Sequence, residues 1–151
     1  MENNTILTDI YEWLSTAGMS QEGTTEQFQN VLEWLQEEID ELKEAVKEGN
    51  EEAQKDAIID IIWIATNWGY MNNIPVSELN EKADRVSYSN WSKFCNTEAE
   101  AKRTVELYRL GEHPNKPGAK IETYYEKRNG FWVVKRVSDN KILKSLEFQE
   151  P

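Results

Sequence analysis

The sequence predicts a mainly α protein, a helical bundle followed by a small antiparallel β meander. Two observations lead to this fold class. Apolar residues recur at helical spacing through the first two thirds of the 151 residues. After Gly111 that spacing gives way to short segments rich in β-branched and aromatic residues, separated by turn sequences. We therefore expect a helical domain over residues 1–111 and a β appendage over residues 112–151, packed on or between subunits.

The first two helices have clear signals. Thr8 to Thr16 forms a short amphipathic helix, and its residues Ile10, Tyr11 and Leu14 face inward. Thr24 or Thr25 caps the second helix, which ends at Gly49-Asn50. Its core-facing stripe consists of Phe28, Val31, Leu32, Leu35, Ile39, Leu42 and Val46.

Three further helices follow. The third covers residues 51–71 and is apolar over most of its circumference, so we expect it to lie centrally in the bundle. Pro75 and Val76 open a weaker fourth helix that extends through Val86. The fifth covers residues 97–110.

Three strands are predicted after the last helix. They cover residues 121–126, 131–137 and 142–148. The turns Arg128-Asn129-Gly130 and Ser138-Asp139-Asn140 fit an antiparallel meander.

Composition excludes several classes of protein. Apolar residues make up 38% and charged residues 30%, which is typical of a globular domain. The longest apolar run, residues 57–66, contains Asp60 and is too short to span a bilayer. The N-terminal residues lack a basic segment followed by an apolar stretch, and the single cysteine, Cys95, cannot form an internal disulfide. We therefore expect a cytoplasmic protein with no membrane partner.

The net charge of −11 argues against a nucleic-acid polymer as partner, because phosphate backbones are bound by basic surfaces. It does not exclude a single nucleotide, because divalent cations reverse the field inside a local pocket. On charge alone, a solubilising surface is the favoured interpretation.

Acidic side chains occur on the second and third helices. On the second, Glu38 and Glu41 fall in one sector beside the apolar stripe, a pattern that by itself usually marks a solvated face. On the third, Asp56, Asp60 and Asn67 share a narrow stripe within a strongly apolar run. Burial of a bare carboxylate is costly, so we expect Asp60 to have a compensating partner.

That partner is either a Lys or Arg from another helix or a metal ion. Because a second acidic helix is available, we favour the metal. An all-oxygen donor set suits Mg²⁺ or Mn²⁺, whereas Zn²⁺ usually recruits His or Cys. His113, the only histidine, has no ligand-like spacing, and no phosphate-binding glycine loop is present.

A third element lies near the end of the fourth helix, in the segment SNWSKF. Lys93, with Asn90 and Ser92, can supply hydrogen-bond donors to phosphate oxygens. An ordinary helix end with a packed aromatic pair explains the segment equally well.

These elements resemble a known family. EEIDEL followed by DAIIDIIW, then SNWSKF and VVKRVSDNKILKS, is similar to the MazG-like all-α nucleoside triphosphate pyrophosphohydrolases, a superfamily that includes phosphoribosyl-ATP pyrophosphohydrolase. The last two segments resemble phage and bacterial members. The resemblance implies a MazG-like helical bundle that removes pyrophosphate from nucleoside triphosphates with Mg²⁺.

The resemblance also implies roles for individual residues. Glu37, Glu38 and Glu41 match the first acidic motif, and Asp60 matches the last residue of the second. Ala57 stands where the family has a Glu ligand, and Asp56 is the candidate replacement. The implied metal ligands are Glu38, Glu41, Asp56 and Asp60. Glu37 or Glu38 would orient the attacking water or take its proton. Asn67, Asn90, Lys93 and Trp63 would contact the substrate, with Trp34 and Trp91 as other residues able to stack on the base.

The sequence is also compatible with functions other than catalysis. Ala57 favours a non-catalytic member that binds nucleotide or metal, and a helical adaptor without a ligand is a third possibility. For the enzyme we favour a deoxynucleoside triphosphate substrate in nucleotide-pool control. The apolar third helix and the resemblance both predict a homodimer or homotetramer.

Overall fold

The computed structural model describes residues 5–151 as five helices and one two-stranded sheet. The elements are α1 (Ile6–Thr16), α2 (Thr25–Glu48), α3 (Glu51–Met71), α4 (Val76–Trp91), α5 (Glu98–Leu110), β1 (Thr123–Arg128) and β2 (Phe131–Arg136). The mainly α fold class is confirmed. No helix among the described residues is long and apolar enough to cross a membrane.

The chain divides into two compact units, Met1–Glu81 and Lys82–Pro151, which we call the helical unit and the C-terminal unit. Helix α4 crosses the division, and α5 packs on both strands. The sequence placed α5 with the helices before residue 111; a domain limit at that point stays a prediction.

Polar caps set the ends of α2 and the start of α3 where the sequence predicted them, whereas α1 begins at Ile6, two residues before the predicted Thr8. The Thr24 hydroxyl accepts from the Gln27 backbone N–H, and the Gln27 side chain accepts from the Thr24 backbone N–H. Gly49 ends α2 in the left-handed conformation, at φ 68°. Asn50 then caps α3 by accepting from the Ala53 backbone N–H. Because the connection is so short, α2 and α3 pack as antiparallel neighbours.

The core of the helical unit lies between α1 and α3. Its buried residues are Ile10, Tyr11, Leu14 and Tyr70, as predicted for α1. The Tyr11 and Tyr70 rings meet edge to face at 5.3 Å. The Tyr11 hydroxyl donates to the Ile74 carbonyl at 2.8 Å, so this buried polar group is satisfied.

Helix α3 packs on both α1 and α2, in agreement with its predicted central position, and the described residues leave one apolar face of it exposed. Ile58, Ile59 and Ile62 are 48%, 46% and 38% exposed. The reason is that, in the described residues, only α1 and α2 pack extensively on α3. Two residues of the predicted α2 stripe, Leu32 and Val46, are also exposed.

The C-terminal unit is built on a hairpin. Asn129 and Gly130 both have positive φ, as a two-residue turn between twisted strands requires. The buried core beside the hairpin comprises Cys95, Ala101, Tyr108, Val134 and Leu143. The Cys95 backbone N–H and C=O pair with Trp132 at 2.8 and 2.9 Å and extend the sheet beyond β2 by one bridge.

The third predicted strand, residues 142–148, is wrong as a strand. Only an isolated bridge joins Lys135 to Ile142, followed by one hydrogen bond from Leu143 to Val134. After Leu143 the backbone forms hydrogen bonds with side chains and not with a neighbouring strand. The Tyr108 hydroxyl donates to the Lys144 carbonyl, and the Ser145 hydroxyl accepts from the Glu147 N–H.

Candidate active site

Two carboxylate-bearing helices, α2 and α3, face each other in the helical unit. Glu37, Glu38 and Glu41 lie on α2, and Asp56 and Asp60 lie on α3. The antiparallel packing of the two helices lets side chains from both approach a shared region.

Glu38 is the most constrained of these carboxylates. Its side chain is half-buried, and its Oε2 atom is buried without a hydrogen-bond partner among residues 5–151. Burial is the largest cause of a raised pKa at this carboxyl group. Three other carboxylates raise the pKa further through their negative charge, in the order Glu41, Asp60 and Glu37. The structure therefore brings four of the predicted site residues into one electrostatic environment.

Asp60 is more exposed to solvent than the sequence predicted. The sequence predicted a buried Asp60 that needs a partner, whereas the residue is exposed in this chain. The cause is the uncovered face of α3, which also exposes Ile58 and Ile59. Asp56 is exposed as well and is not among the carboxylates that raise the pKa of Glu38. The cost of a buried, uncompensated carboxylate falls on Glu38 instead.

No lysine in the described part of the helical unit forms an ion pair with this carboxylate cluster. The sequence has three basic residues before Lys82, namely Lys43, Lys47 and Lys55. Each pairs with an acidic residue three positions earlier on its own helix, at 2.9, 3.4 and 2.6 Å. A salt bridge from another helix of this unit, one of the two partners considered for Asp60, is therefore absent from the described residues.

The donor chemistry of the cluster fits a hard divalent cation. Its oxygens are all carboxylate oxygens, and Glu38 Oε2 is an unsatisfied buried acceptor. In residues 5–151, however, no three His, Cys, Asp or Glu side chains are grouped closely enough to hold a metal ion. The carboxylate oxygens are suitable ligands for Mg²⁺, but the described residues of one chain do not form a complete metal-binding site.

Asn67 and Trp63 lie further along the acidic stripe of α3. The Oδ1 atom of Asn67 is buried and has no hydrogen-bond partner within the described part of the chain. Trp63 is half-buried, packs against the core of the helical unit and meets the Trp13 ring edge to face at 5.8 Å. Asn67 thus has an acceptor free for a ligand, whereas part of the Trp63 ring is used in packing.

Asn90 and Lys93 belong to the C-terminal unit. The Lys93 ammonium donates to Asn90 Oδ1 at 2.7 Å, so the two predicted phosphate contacts are neighbours. The third member, Ser92, donates its hydroxyl to the Ser89 carbonyl and accepts from the Gln149 N–H. Ser92 is therefore engaged in the fold, which leaves Asn90 and Lys93 as the available polar side chains.

Sequence reasoning missed that Glu38 is the buried member of the site. Its neighbour in sequence, Ile39, belongs to the apolar stripe, and this adjacency was the available signal. Ala57 on α3 is only 3% exposed. Ala57 thus gives α3 a small buried side chain with no capacity to bind metal.

Part of the chain matches a known protein family. Residues 14–87 match the model of a family described as phosphoribosyl-ATP pyrophosphohydrolase. The matched segment is just under half of the chain and includes all of α2 and α3, with every carboxylate named above. The matched family belongs to the MazG-like all-α nucleoside triphosphate pyrophosphohydrolase superfamily, so the match confirms the resemblance over these residues. Neither a curated protein nor a solved structure matches the chain.

The family match supports pyrophosphohydrolase activity on a nucleotide. The corresponding enzyme class is a hydrolase that cleaves a phosphoanhydride bond.

Proposed function

We propose that this chain is a Mg²⁺-dependent nucleoside triphosphate pyrophosphohydrolase. The reaction adds water to the α-phosphorus of a deoxynucleoside triphosphate and releases the deoxynucleoside monophosphate and pyrophosphate. The observation that carries the proposal is the carboxylate cluster of Glu38, Glu41, Asp60 and Glu37, which lies inside the segment that matches the family.

Glu38, Glu41, Asp56 and Asp60 would hold the metal ion, and Mn²⁺ would substitute for Mg²⁺. The support is the oxygen-only donor set, the unsatisfied Glu38 Oε2 and the lack of a lysine available to the cluster in the described helical unit. When bound, Mg²⁺ neutralises phosphate charge and makes a bound water more acidic.

The carboxylate that acts on the water is Glu37 or Glu38. Glu37 is exposed, so its oxygens are open to solvent and can accept a proton from the attacking water. Glu38 has the unsatisfied oxygen and is the better positioned of the two to orient that water by a hydrogen bond.

The proposed contacts to the sugar or base are Asn67 and Trp63, and the proposed phosphate contacts are Asn90 and Lys93. Asn67 Oδ1 accepts a hydrogen bond from the sugar or base, and Trp63 offers its remaining ring surface for stacking. Asn90 and Lys93 donate to phosphate oxygens. A deoxynucleoside triphosphate in nucleotide-pool control is the proposed substrate class, and the family description makes phosphoribosyl-ATP the alternative that the substrate panel must include.

The exposed apolar face of α3 supports assembly into a homodimer or homotetramer. Ile58, Ile59 and Ile62 form a surface that a second subunit would cover, beside the cluster around Asp60. Completion of the donor set by a neighbouring copy would explain why one chain lacks a closed metal site.

The second candidate function is nucleotide or metal binding without turnover. The observation that favours it is the buried Ala57 at the position of a family ligand. It predicts that the protein binds a triphosphate with Mg²⁺ and releases no pyrophosphate.

Pyrophosphate release separates the two functions. The assay covers the canonical NTPs and dNTPs and phosphoribosyl-ATP, each with Mg²⁺, Mn²⁺ or EDTA. The variants are Asp60→Asn, Glu41→Gln and Asp56→Asn, and Asp40→Asn is the matched control because Asp40 is an exposed α2 carboxylate paired with Lys43. We expect metal-dependent turnover of a dNTP that falls at least a hundredfold in Asp60→Asn and stays unchanged in Asp40→Asn, since lost transition-state contacts cost about 3 kcal/mol.

The Asp56→Asn variant tests the replacement of the missing family Glu. A loss equal to that of Asp60→Asn supports Asp56 as a ligand, and full activity removes it from the site. Folded protein that releases no pyrophosphate from any substrate contradicts catalysis and leaves the binding function.

A further inference from the structure

Positive charge is concentrated in the C-terminal unit. Residues 82–151 contain 14 of the 17 Lys and Arg residues and 10 of the 28 Asp and Glu residues, a net charge of +4. Residues 1–81 contain the other 3 basic and 18 acidic residues, a net charge of −15. The overall value of −11 therefore conceals a basic half of the molecule, whose field favours anions.

Within that half, one cavity is lined by lysines. It has a volume of about 270 Å³ and is bordered by Lys93, Lys116, Lys141 and Lys144, together with Tyr108 and Asn115. Its wall is fixed by the fold, because the Tyr108 hydroxyl donates to the Lys144 carbonyl at 3.0 Å. The buried ring of His113 stacks on Tyr108 at 3.9 Å and holds that side chain from behind.

Most of the lysine charge at this cavity is not neutralised. Lys144 pairs with Glu150 at 3.1 Å, and the Lys93 ammonium contacts only the neutral amide oxygen of Asn90. Lys116 and Lys141 have no carboxylate within ion-pair distance in residues 5–151, and Asp139, whose carboxylate pairs with Arg136, interacts with the Lys141 ammonium only over a longer distance. Three ammonium groups with like charge around one small cavity repel one another, and an anion between them removes that repulsion.

We propose that this cavity binds a phosphate polyanion, either free pyrophosphate or the phosphate chain of a nucleotide. Lys93, Lys116 and Lys141 supply the charge, and the Asn115 side chain supplies a neutral donor. The volume admits a compact anion of this kind. A nucleic-acid polymer does not fit, because the net charge of −11 opposes an extended phosphate backbone.

The inference shares Lys93 with the proposed function but does not depend on hydrolysis. Lys116, Lys141 and Asn115 lie outside the segment that matches the family and outside the carboxylate cluster. Binding can be measured in EDTA, where metal-dependent turnover does not occur, so either idea can fail while the other survives.

The test is isothermal titration calorimetry of the full chain in EDTA, with pyrophosphate in one arm and dATP in the other. Lys116→Gln and Lys141→Gln should each raise the dissociation constant about tenfold, the effect of losing one charge-assisted hydrogen bond. Lys120→Gln is the matched control, because Lys120 is exposed, lies in the same unit and does not line the cavity. We expect this control to change the constant less than twofold.

Comparison of the two arms identifies the source of the phosphate. Lysine-dependent binding of pyrophosphate alone indicates a free-anion site, and equal dependence for dATP indicates the phosphate chain of a nucleotide. Amide resonance shifts in the unmodified protein provide a readout independent of the variants, and those of Asn115 and Lys141 should move. The proposal is overturned if neither ligand binds saturably, if Lys120→Gln weakens binding as much as the cavity variants, or if the shifts lie elsewhere.

Discussion

Replacement of Glu38 by Gln should change stability in opposite directions with and without Mg²⁺. Without metal, the change removes a carboxylate charge that is held near Glu41 and Asp60. The like-charge pair of Glu38 and Glu41 at i, i+3 on α2 costs about 0.2–0.5 kcal/mol, and Asp60 on α3 adds to the repulsion, so we expect Glu38→Gln to gain on the order of 0.5 kcal/mol in EDTA. Burial is the largest cause of the raised pKa of Glu38 and the neighbouring carboxylates raise it further, so the folded protein resists the charged form.

With metal, the sign reverses. A ligand that binds only the folded state at a hundred times its dissociation constant stabilises it by about 2.7 kcal/mol. The original protein should gain this amount from Mg²⁺, and Glu38→Gln should lose most of it because one ligand is missing. Urea unfolding in EDTA and in saturating Mg²⁺ measures both terms, with Asp40→Asn as the control that keeps the full Mg²⁺ effect.

The combination of outcomes decides the interpretation. If Glu38→Gln is less stable than the original protein in EDTA, the idea of an uncompensated carboxylate is wrong. If it keeps the full Mg²⁺ stabilisation, Glu38 is not a ligand. Either result refutes the reasoning that links the unsatisfied Oε2 atom to a metal ion.

Three further predictions concern the two cores. A Cβ atom at Gly69 would lie 2.8 Å from Leu79 Cδ1 and 2.9 Å from the Tyr11 hydroxyl, so Gly69→Ala should lower the free energy of unfolding by about 1–3 kcal/mol in urea titrations. Burial raises the pKa of the Cys95 thiol to about 11, so a thiol reagent at pH 8 should label it only after unfolding; rapid labelling of native protein would contradict this. Burial lowers the pKa of His113 in the folded protein, so below about pH 6.5 the unfolded chain binds a proton that the folded chain does not. The free energy of unfolding should therefore decrease as the pH is lowered through this range. Urea midpoints at pH 7.5 and 5.5 should show this slope, and His113→Gln should reduce it.

The sequence predicted local structure well because local signals determine it. Thr24, Gly49 and Asn50 set helix ends through caps that involve neighbouring residues only. The Asn129-Gly130 turn is equally local. The third strand was wrong because its competitors are distant in sequence: the Tyr108 hydroxyl binds the Lys144 carbonyl, 36 residues further on.

The sequence placed the carboxylates on α2 and α3 but did not predict which of them is buried. Periodicity placed Glu38 and Asp60 on facing helices, yet it did not show that α3 leaves Asp60 exposed while Glu38 Oε2 is buried. Those facts depend on which helices cover α3. The lysine cavity was missed because the net charge was averaged over the whole chain, although a count by halves would have revealed the basic C-terminal unit.

No residue of the described helical unit compensates the negative charge of Glu38, so a compensating positive charge would come from elsewhere. The three lysines of that unit pair locally, on exposed helix faces where such pairs add little stability. The compensating charge is then a divalent cation or a basic residue from a second copy of the chain. A cation gives stabilisation that depends on Mg²⁺ concentration, whereas a second copy gives stabilisation that depends on protein concentration. Because the exposed isoleucines of α3 lie on the same helix as Asp60, metal binding and assembly should be coupled, with Mg²⁺ stabilisation growing as protein concentration rises.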